Sequence, residues 1–273
     1  MTMANTLAPL TGWIDGIGLI GPGLPDWETG RRMLAGTLDY RPTPTTVTLP
    51  PILPAAERRR TSLAVRIALA SGHQAVAASS FAAEHLHSVF SSSGGDGVTC
   101  HLICAALAEA DRRVSPTHFH NSVHNAPSGY WGIAMRATAS STSLCAYDAS
   151  FGAGLLEAFA QLAARRAPVL LVAYDAPYPD PLHRCRPVAD AFAVALVLAP
   201  APATAASRRL SLALGPGTAT GIGTPALETM RRTIPTARAL PLLQRLARET
   251  AGDVVLDYLD AAPTASRILL RVD

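Results

Sequence analysis

The sequence contains no lysine, so all 23 of its Lys and Arg positions are arginines. Residues 91–97, SSSGGDG, could cradle a phosphate, but a P-loop needs a lysine and a spacing that this chain lacks. The arginines stand in pairs and triplets without a long basic block, and the formal net charge is only +3. Nucleic acid is therefore not an expected partner.

Cysteines and long apolar segments are also scarce. The four cysteines form no dense framework, which suits a reducing compartment. The longest uncharged apolar run, residues 191–207, is broken by prolines and is too short to span a bilayer. The first 13 residues lack the basic region and the apolar stretch of a signal peptide. We therefore expect a cytoplasmic protein with no membrane partner.

The remaining composition is that of a globular protein with a large core, since 49% of the residues are apolar and 16% are charged. Strand candidates alternate with helical segments, and no clear linker separates them. The strand candidate at 168–174, PVLLVAY, is apolar enough for burial inside a parallel sheet. The pattern predicts a layered α/β fold (αβα) with a mixed, mostly parallel sheet, in a single domain over residues 1–273.

Two cysteines, Cys100 and Cys104, lie one turn apart on a helix predicted over residues 98–110. A metal site is conceivable there, because thiolates bind zinc. No second Cys/His cluster accompanies them, and a free cysteine commonly packs as a small hydrophobe. We interpret both as core residues and expect neither a metal ion nor a cofactor.

The most informative segment predicts a strand at Ser141–Tyr147, a sharp turn, and a helix at Ser150–Arg165. Such a turn exposes one side chain beside the free N–H groups of the helix, where α/β enzymes often place a nucleophile. Here that residue is Asp148, whose simplest role is to cap the helix. Cys145, three residues upstream, is interpreted as a buried strand residue.

Three stretches resemble a known family: residues 14–36 (IDGIGLIGPGLPDWETGRRMLAG), 115–134 (SPTHFHNSVHNAPSGYWGIA) and 141–177 (STSLCAYDASFGAGLLEAFAQLAARRAPVLLVAYDAP). They are similar to the N-terminal half of the β-ketoacyl synthases, condensing enzymes with a thiolase-like fold. The chain most resembles short, chain-length-factor-like members found with aryl polyene and related polyketide pathways. The resemblance covers most of residues 13–200 and fades over 200–273.

The resemblance implies that the chain has lost its nucleophile. Ketosynthases carry a cysteine at the strand-to-helix turn, and counting back from Glu157-Ala158 places Asp148 at that position. A carboxylate cannot carry an acyl chain as a thioester. The family's C-terminal half also supplies two histidines, whereas this sequence has no histidine after His183. The resemblance thus implies a non-catalytic subunit that pairs with a full-length β-ketoacyl synthase and works with an acyl carrier protein in polyketide, aryl polyene or fatty-acid-type elongation.

The family also suggests a contact surface, because the element before the nucleophile commonly pairs with its counterpart across the dimer axis. Aromatic residues beside small polar ones suit such an interface. The predicted contact residues are Asn121, His124, Asn125, Tyr130, Trp131, Ser141, Thr142 and Ser143.

Two alternatives remain open at this point. One is an active synthase or acyltransferase that uses Cys145 as its nucleophile, with His118 or His124 as the acid–base group. The other is a binding module that docks an acidic acyl carrier protein through arginine clusters. The arginines predicted for carrier docking are Arg58, Arg59, Arg60, Arg165 and Arg166.

Overall fold

The structure is a computed structural model that describes residues 8–259 and 266–273. Residues 1–7, the start of the segment without signal-peptide features, lie outside the described residues. The strands are β1 (Leu10–Ile20), β2 (His87–Ser91), β3 (Ser141–Leu144), β4 (Val169–Asp175), β5 (Phe192–Ala199), β6 (Arg208–Gly215), β7 (Gly252–Leu259) and β8 (Ser266–Val272). The α-helices are α1 (Trp27–Ala35), α2 (Ala55–Arg60), α3 (Leu63–Ala77), α4 (Gly97–Ala108), α5 (Pro116–Asn121), α6 (Ala126–Met135), α7 (Ser150–Arg165), α8 (Leu182–Cys185), α9 (Pro225–Thr233) and α10 (Leu240–Ala247).

The eight strands form one sheet in the order β3-β2-β4-β5-β1-β6-β8-β7. The pairs β2–β3 and β2–β4 are parallel, and every other neighbouring pair in this sheet is antiparallel. The α/β class is confirmed, but the prediction of a mostly parallel sheet is wrong. An apolar strand such as β4 indicates burial on both faces and does not indicate the direction of its neighbours; here β5 returns antiparallel beside it.

Helices cover both faces of the sheet, as a layered α/β fold requires. On one face α7 buries Phe151, Leu155 and Phe159 in the larger core cluster. On the other face α3 contributes Ile67 to a second cluster. A Cβ at Gly18 in β1 would collide with the carbonyl oxygen of Ser71 in α3, so only glycine permits this close approach. Within the described residues, no helix is long and apolar enough to cross a membrane.

Strand β3 forms one edge of the sheet and pairs with β2 on one side only. Its other side leaves backbone groups free to pair with a strand from another chain. Because β2, β3 and β4 are parallel, their carboxyl ends meet at the same end of the sheet, with Ser91 beside Leu144 and Ala173. The loops that follow these three strands therefore lie together.

Candidate functional site

The candidate site lies at the carboxyl ends of β2, β3 and β4, which is where open α/β sheets commonly bind ligands. The chain passes from β3 into α7 through a 3-10 turn, Tyr147–Ala149. Tyr147 has a φ of 52°, a left-handed conformation that is uncommon for a residue with a side chain. The Ser150 hydroxyl stabilises the turn by accepting a hydrogen bond from the backbone N–H of Ala146 at 2.9 Å.

Asp148 does not cap the helix, so that interpretation is wrong. The N-cap residue of α7 is Ala149, which makes no side-chain capping bond. The Asp148 carboxylate binds two arginines: Oδ1 accepts from Nη2 of Arg186 at 2.7 Å, and Oδ2 from Nη2 of Arg238 at 3.5 Å. The Asp148 side chain is 39% exposed, whereas those of Arg186 and Arg238 are 17% and 18% exposed. A half-exposed carboxylate therefore partly neutralises two largely buried cations.

These groups line a polar cleft of about 210 Å³ that also includes Tyr147 and Arg232. The Arg186 guanidinium lies 3.5 Å from the centre of the Tyr147 ring, a cation–π contact. Burial is the largest single influence on the pKa of Arg186 and lowers it, but the hydrogen bonds with Asp148 and Tyr178, together with the charge of Asp148, outweigh burial and raise the pKa above its ordinary value. Arg186 is thus held as a cation beside the turn.

A second carboxylate, Asp175 at the end of β4, is buried behind the site. Its Oδ1 accepts from the backbone N–H of Ser93 at 2.8 Å. Its Oδ2 accepts from the N–H of Thr236 at 2.9 Å and from the Thr236 hydroxyl at 2.6 Å. Burial raises the pKa of Asp175, and these hydrogen bonds oppose the rise. Asp175 thereby fixes the 3-10 helix Pro235–Ala239, which carries Arg238, against the loop after β2.

Cys145 comes directly after β3 and is exposed, so its interpretation as a buried strand residue is wrong. Its Sγ donates to the carbonyl oxygen of Ser93 at 3.2 Å. The His124 ring borders the same loop, since a Cβ at Gly95 would lie 3.3 Å from its Cδ2. Burial lowers the pKa of His124, which favours the neutral imidazole. No hydrogen bond joins Cys145 to His118 or His124, all of which the structure describes.

The structure divides the predicted contact residues. Asn121, Tyr130 and Trp131 are buried within this chain, so assigning them to an exposed surface was wrong. Asn121 donates from Nδ2 to the carbonyl oxygen of Arg60 at 2.7 Å and accepts from the Tyr130 hydroxyl at 3.1 Å. Aromatic residues beside small polar ones also suit a chain's own core, which explains the error. The residues that keep an accessible surface are His124, Asn125, Ser141, Thr142 and Ser143.

A surface that the sequence did not predict lies on α4 and α5, which pack against each other. Thr99 is the only buried residue of α4. We define the α4–α5 apolar face as Val98 and Leu102, one turn apart on α4, with Phe119 of α5 and Val123 just after it, which are between 40% and 70% exposed. Cys100 and Cys104 are exposed on the same helix, so their prediction as core residues is wrong. The apolar composition of α4 indicated burial, but most of this helix is exposed in the structure.

The five predicted docking arginines are all exposed but do not form one patch. Arg58, Arg59 and Arg60 end α2, just before α3 on one face of the sheet. Arg165 and Arg166 end α7 on the opposite face. The two groups are therefore separate candidate surfaces for carrier docking.

The sequence matches the model of one known protein family. The model of the family "Beta-ketoacyl synthase, N-terminal domain" matches residues 34–250. No curated protein matches the sequence.

Solved structures share the fold across almost the whole chain. A chain in the complex of the ketosynthase ApeO with its chain length factor ApeC, from Xenorhabdus doucetiae, is 24% identical with a TM-score of 0.73; the match covers 96% of this chain and 99% of that one. The ishigamide ketosynthase/chain length factor matches at 12% identity and a TM-score of 0.66, over 96% and 99%. A complex of a type II PKS acyl carrier protein with its ketosynthase, AntDE:AntF, matches at 11% and 0.69, over 97% and 99%.

Proposed function

The chain belongs to the family of the β-ketoacyl synthase N-terminal domain, and from this we propose that it is a non-catalytic, chain-length-factor-like subunit of a β-ketoacyl synthase complex. The observation that carries the proposal is the strand-to-helix turn. Asp148, paired with Arg186 at 2.7 Å, stands where the family resemblance places the nucleophilic cysteine. A carboxylate held by a guanidinium cannot form the acyl thioester that condensation requires.

Pairing with a full-length β-ketoacyl synthase is supported by two accessible surfaces. The edge of β3 can extend the sheet into a partner. The α4–α5 apolar face exposes large side chains, among them Phe119 at 70%, that a folded chain ordinarily covers. The Ser143 hydroxyl of β3 lies 3.4 Å from the hydroxyl of Ser128 in α6, so β3 contacts the helix that follows α5. Together these surfaces favour association with another protein chain.

The similar structures support the same assignment. Two are described as a ketosynthase with a chain length factor, and this chain spans 99% of the matched chain in each. A third contains an acyl carrier protein with its ketosynthase. We therefore propose that the subunit takes part in chain elongation on an acyl carrier protein, in a polyketide or aryl polyene pathway.

Coexpression tests the proposal. The tagged chain is produced with ketosynthases encoded near it, and native mass spectrometry of the purified material is expected to show a one-to-one complex. Condensation of malonyl-carrier substrates should require the partner and should survive Asp148→Ala in this chain. A purified lone chain that elongates malonyl-carrier substrates would contradict the proposal.

A second candidate function, catalysis by Cys145, is favoured by one observation. In and beside the loop whose Ser93 carbonyl accepts from the exposed thiol, the hydroxyl of Ser93 and the Nε2 of His124 are buried without a hydrogen-bond partner among the described residues. Incubation with an acylated carrier followed by peptide mass spectrometry separates the candidates. An acyl group on Cys145, with none on the exposed Cys185, would support catalysis by Cys145. The absence of an acyl group from both cysteines would support a non-catalytic subunit.

Carrier docking through α2 is a third candidate, supported by the exposed Arg58 and Arg59 at the end of that helix. Binding of an acidic carrier protein should weaken with salt and disappear on reversal of both charges to glutamate. Reversal of Arg165 and Arg166, on the opposite face, is the matched control. Equal losses from the two reversals would show that net charge, and not a docking surface, governs binding.

A further inference from the structure

The cleft beside Asp148 holds more guanidinium groups than carboxylates. Arg186 is paired with Asp148 at 2.7 Å, and Arg232 is paired with Glu228 at 2.7 Å. Arg238 makes one contact among the described residues, the 3.5 Å approach of its Nη2 to Oδ2 of Asp148. Of its five donor hydrogens, only one thus has a protein acceptor among the described residues, although the side chain is only 18% exposed. A buried guanidinium normally holds a carboxylate or a phosphate through two hydrogen bonds.

We propose that this cleft is an oxyanion-binding site in which Arg238, assisted by Arg186, holds a carboxylate or phosphate group. The cleft has a volume of about 210 Å³, which is ample for such a group because one water occupies about 30 Å³ of liquid. Tyr147, 62% exposed, lines the opening and would leave the anion accessible from solvent. The site consists of this chain's own arginines, so the proposal does not depend on whether the chain pairs with a synthase.

Asp148 sets the affinity of this site by competing for its cations. Its carboxylate takes the strongest hydrogen bond of Arg186 and repels an incoming anion. Asp148→Asn keeps the size of the side chain and removes its charge. The substitution should raise anion affinity by about tenfold, the change that roughly 1.4 kcal/mol of relieved repulsion produces. A gain of binding cannot result from misfolding, which makes this variant the most informative one.

Isothermal titration of the full chain with inorganic phosphate at low ionic strength tests the site, with malonate as a second probe to distinguish phosphate from carboxylate recognition. We expect saturable binding of at least one probe, a loss of tenfold or more in Arg238→Gln, and tighter binding in Asp148→Asn. The matched control is Arg184→Gln, since Arg184 lies on the neighbouring α8 with a side chain that is 75% exposed. No saturable binding of either probe to the wild type and to Asp148→Asn would overturn the proposal, as would equal losses in Arg238→Gln and Arg184→Gln.

Discussion

The ion pair between Asp148 and Arg186 should stabilise the fold measurably, and Asp148→Asn tests this. A hydrogen bond to a charged group is worth roughly 1.5–3 kcal/mol. The carboxylate is 39% exposed, and exposed pairs contribute only about 0–1 kcal/mol, so the expected loss is between these limits, about 1–2 kcal/mol. For a chain of this size, 1 kcal/mol shifts the melting temperature by roughly 2–4 °C. The variant should therefore melt about 2–8 °C below the wild type.

A double-mutant cycle isolates the pair from other effects of the substitution. Asp148→Asn, Arg186→Gln and the double variant should show a coupling free energy of about 1 kcal/mol in denaturant unfolding. The control is the pair Asp180–Arg184 in the same loop, separated by 3.9 Å with both side chains mostly exposed. Its coupling should be close to zero. Equal coupling in the two cycles, or a stabilising Asp148→Asn, would refute the reasoning that Asp148 is held by Arg186.

Three further predictions concern the surface, the acid stability and the second candidate nucleophile. Leu102→Asp in the α4–α5 apolar face should abolish copurification with the partner synthase, whereas Leu214→Asp, on β6 and 51% exposed against 40% for Leu102, should not; equal effects would remove this face from the interface. The pKa of Glu228 is lowered to about 2, first by its hydrogen bond with Arg231, so its contribution to stability is complete above pH 4.5 and is lost as the pH falls towards 2. The stability difference between wild type and Glu228→Gln should accordingly shrink from pH 5 to pH 3 in denaturant unfolding, and a constant difference would contradict the assignment. Cys145→Ser should leave the condensation rate of the complex unchanged, and loss of that rate would favour catalysis by Cys145.

The local elements around the site could be predicted from the sequence. The predicted helix Ser150–Arg165 coincides with α7, because its apolar residues recur at helical spacing. The strand predicted over Ser141–Tyr147 starts at the predicted residue. In the structure, however, it ends at Leu144, three residues before the predicted end. The 3-10 turn begins at Tyr147, which has a positive φ, and nothing in the residues CAYD indicates that conformation.

The partners of Asp148 could not be predicted, because they lie far along the chain. Arg186 and Arg238 follow Asp148 by 38 and 90 residues, so no local spacing connects them to it. Burial was equally ambiguous: Trp131 is in this chain's core, whereas Phe119, in the same stretch, is 70% exposed. Composition does not distinguish an aromatic residue in this chain's core from one on its surface, and only the tertiary structure does.

The most direct test of the central claim is to determine which subunit of the active complex carries the acyl groups. Intact-protein and peptide mass spectrometry of the purified pair, stopped during elongation of malonyl-carrier substrates, locates every acyl thioester. Our account predicts acyl adducts on the partner synthase and none on this chain, whose strand-to-helix turn carries the Asp148 carboxylate. An acyl thioester on Cys145 of this chain would contradict it.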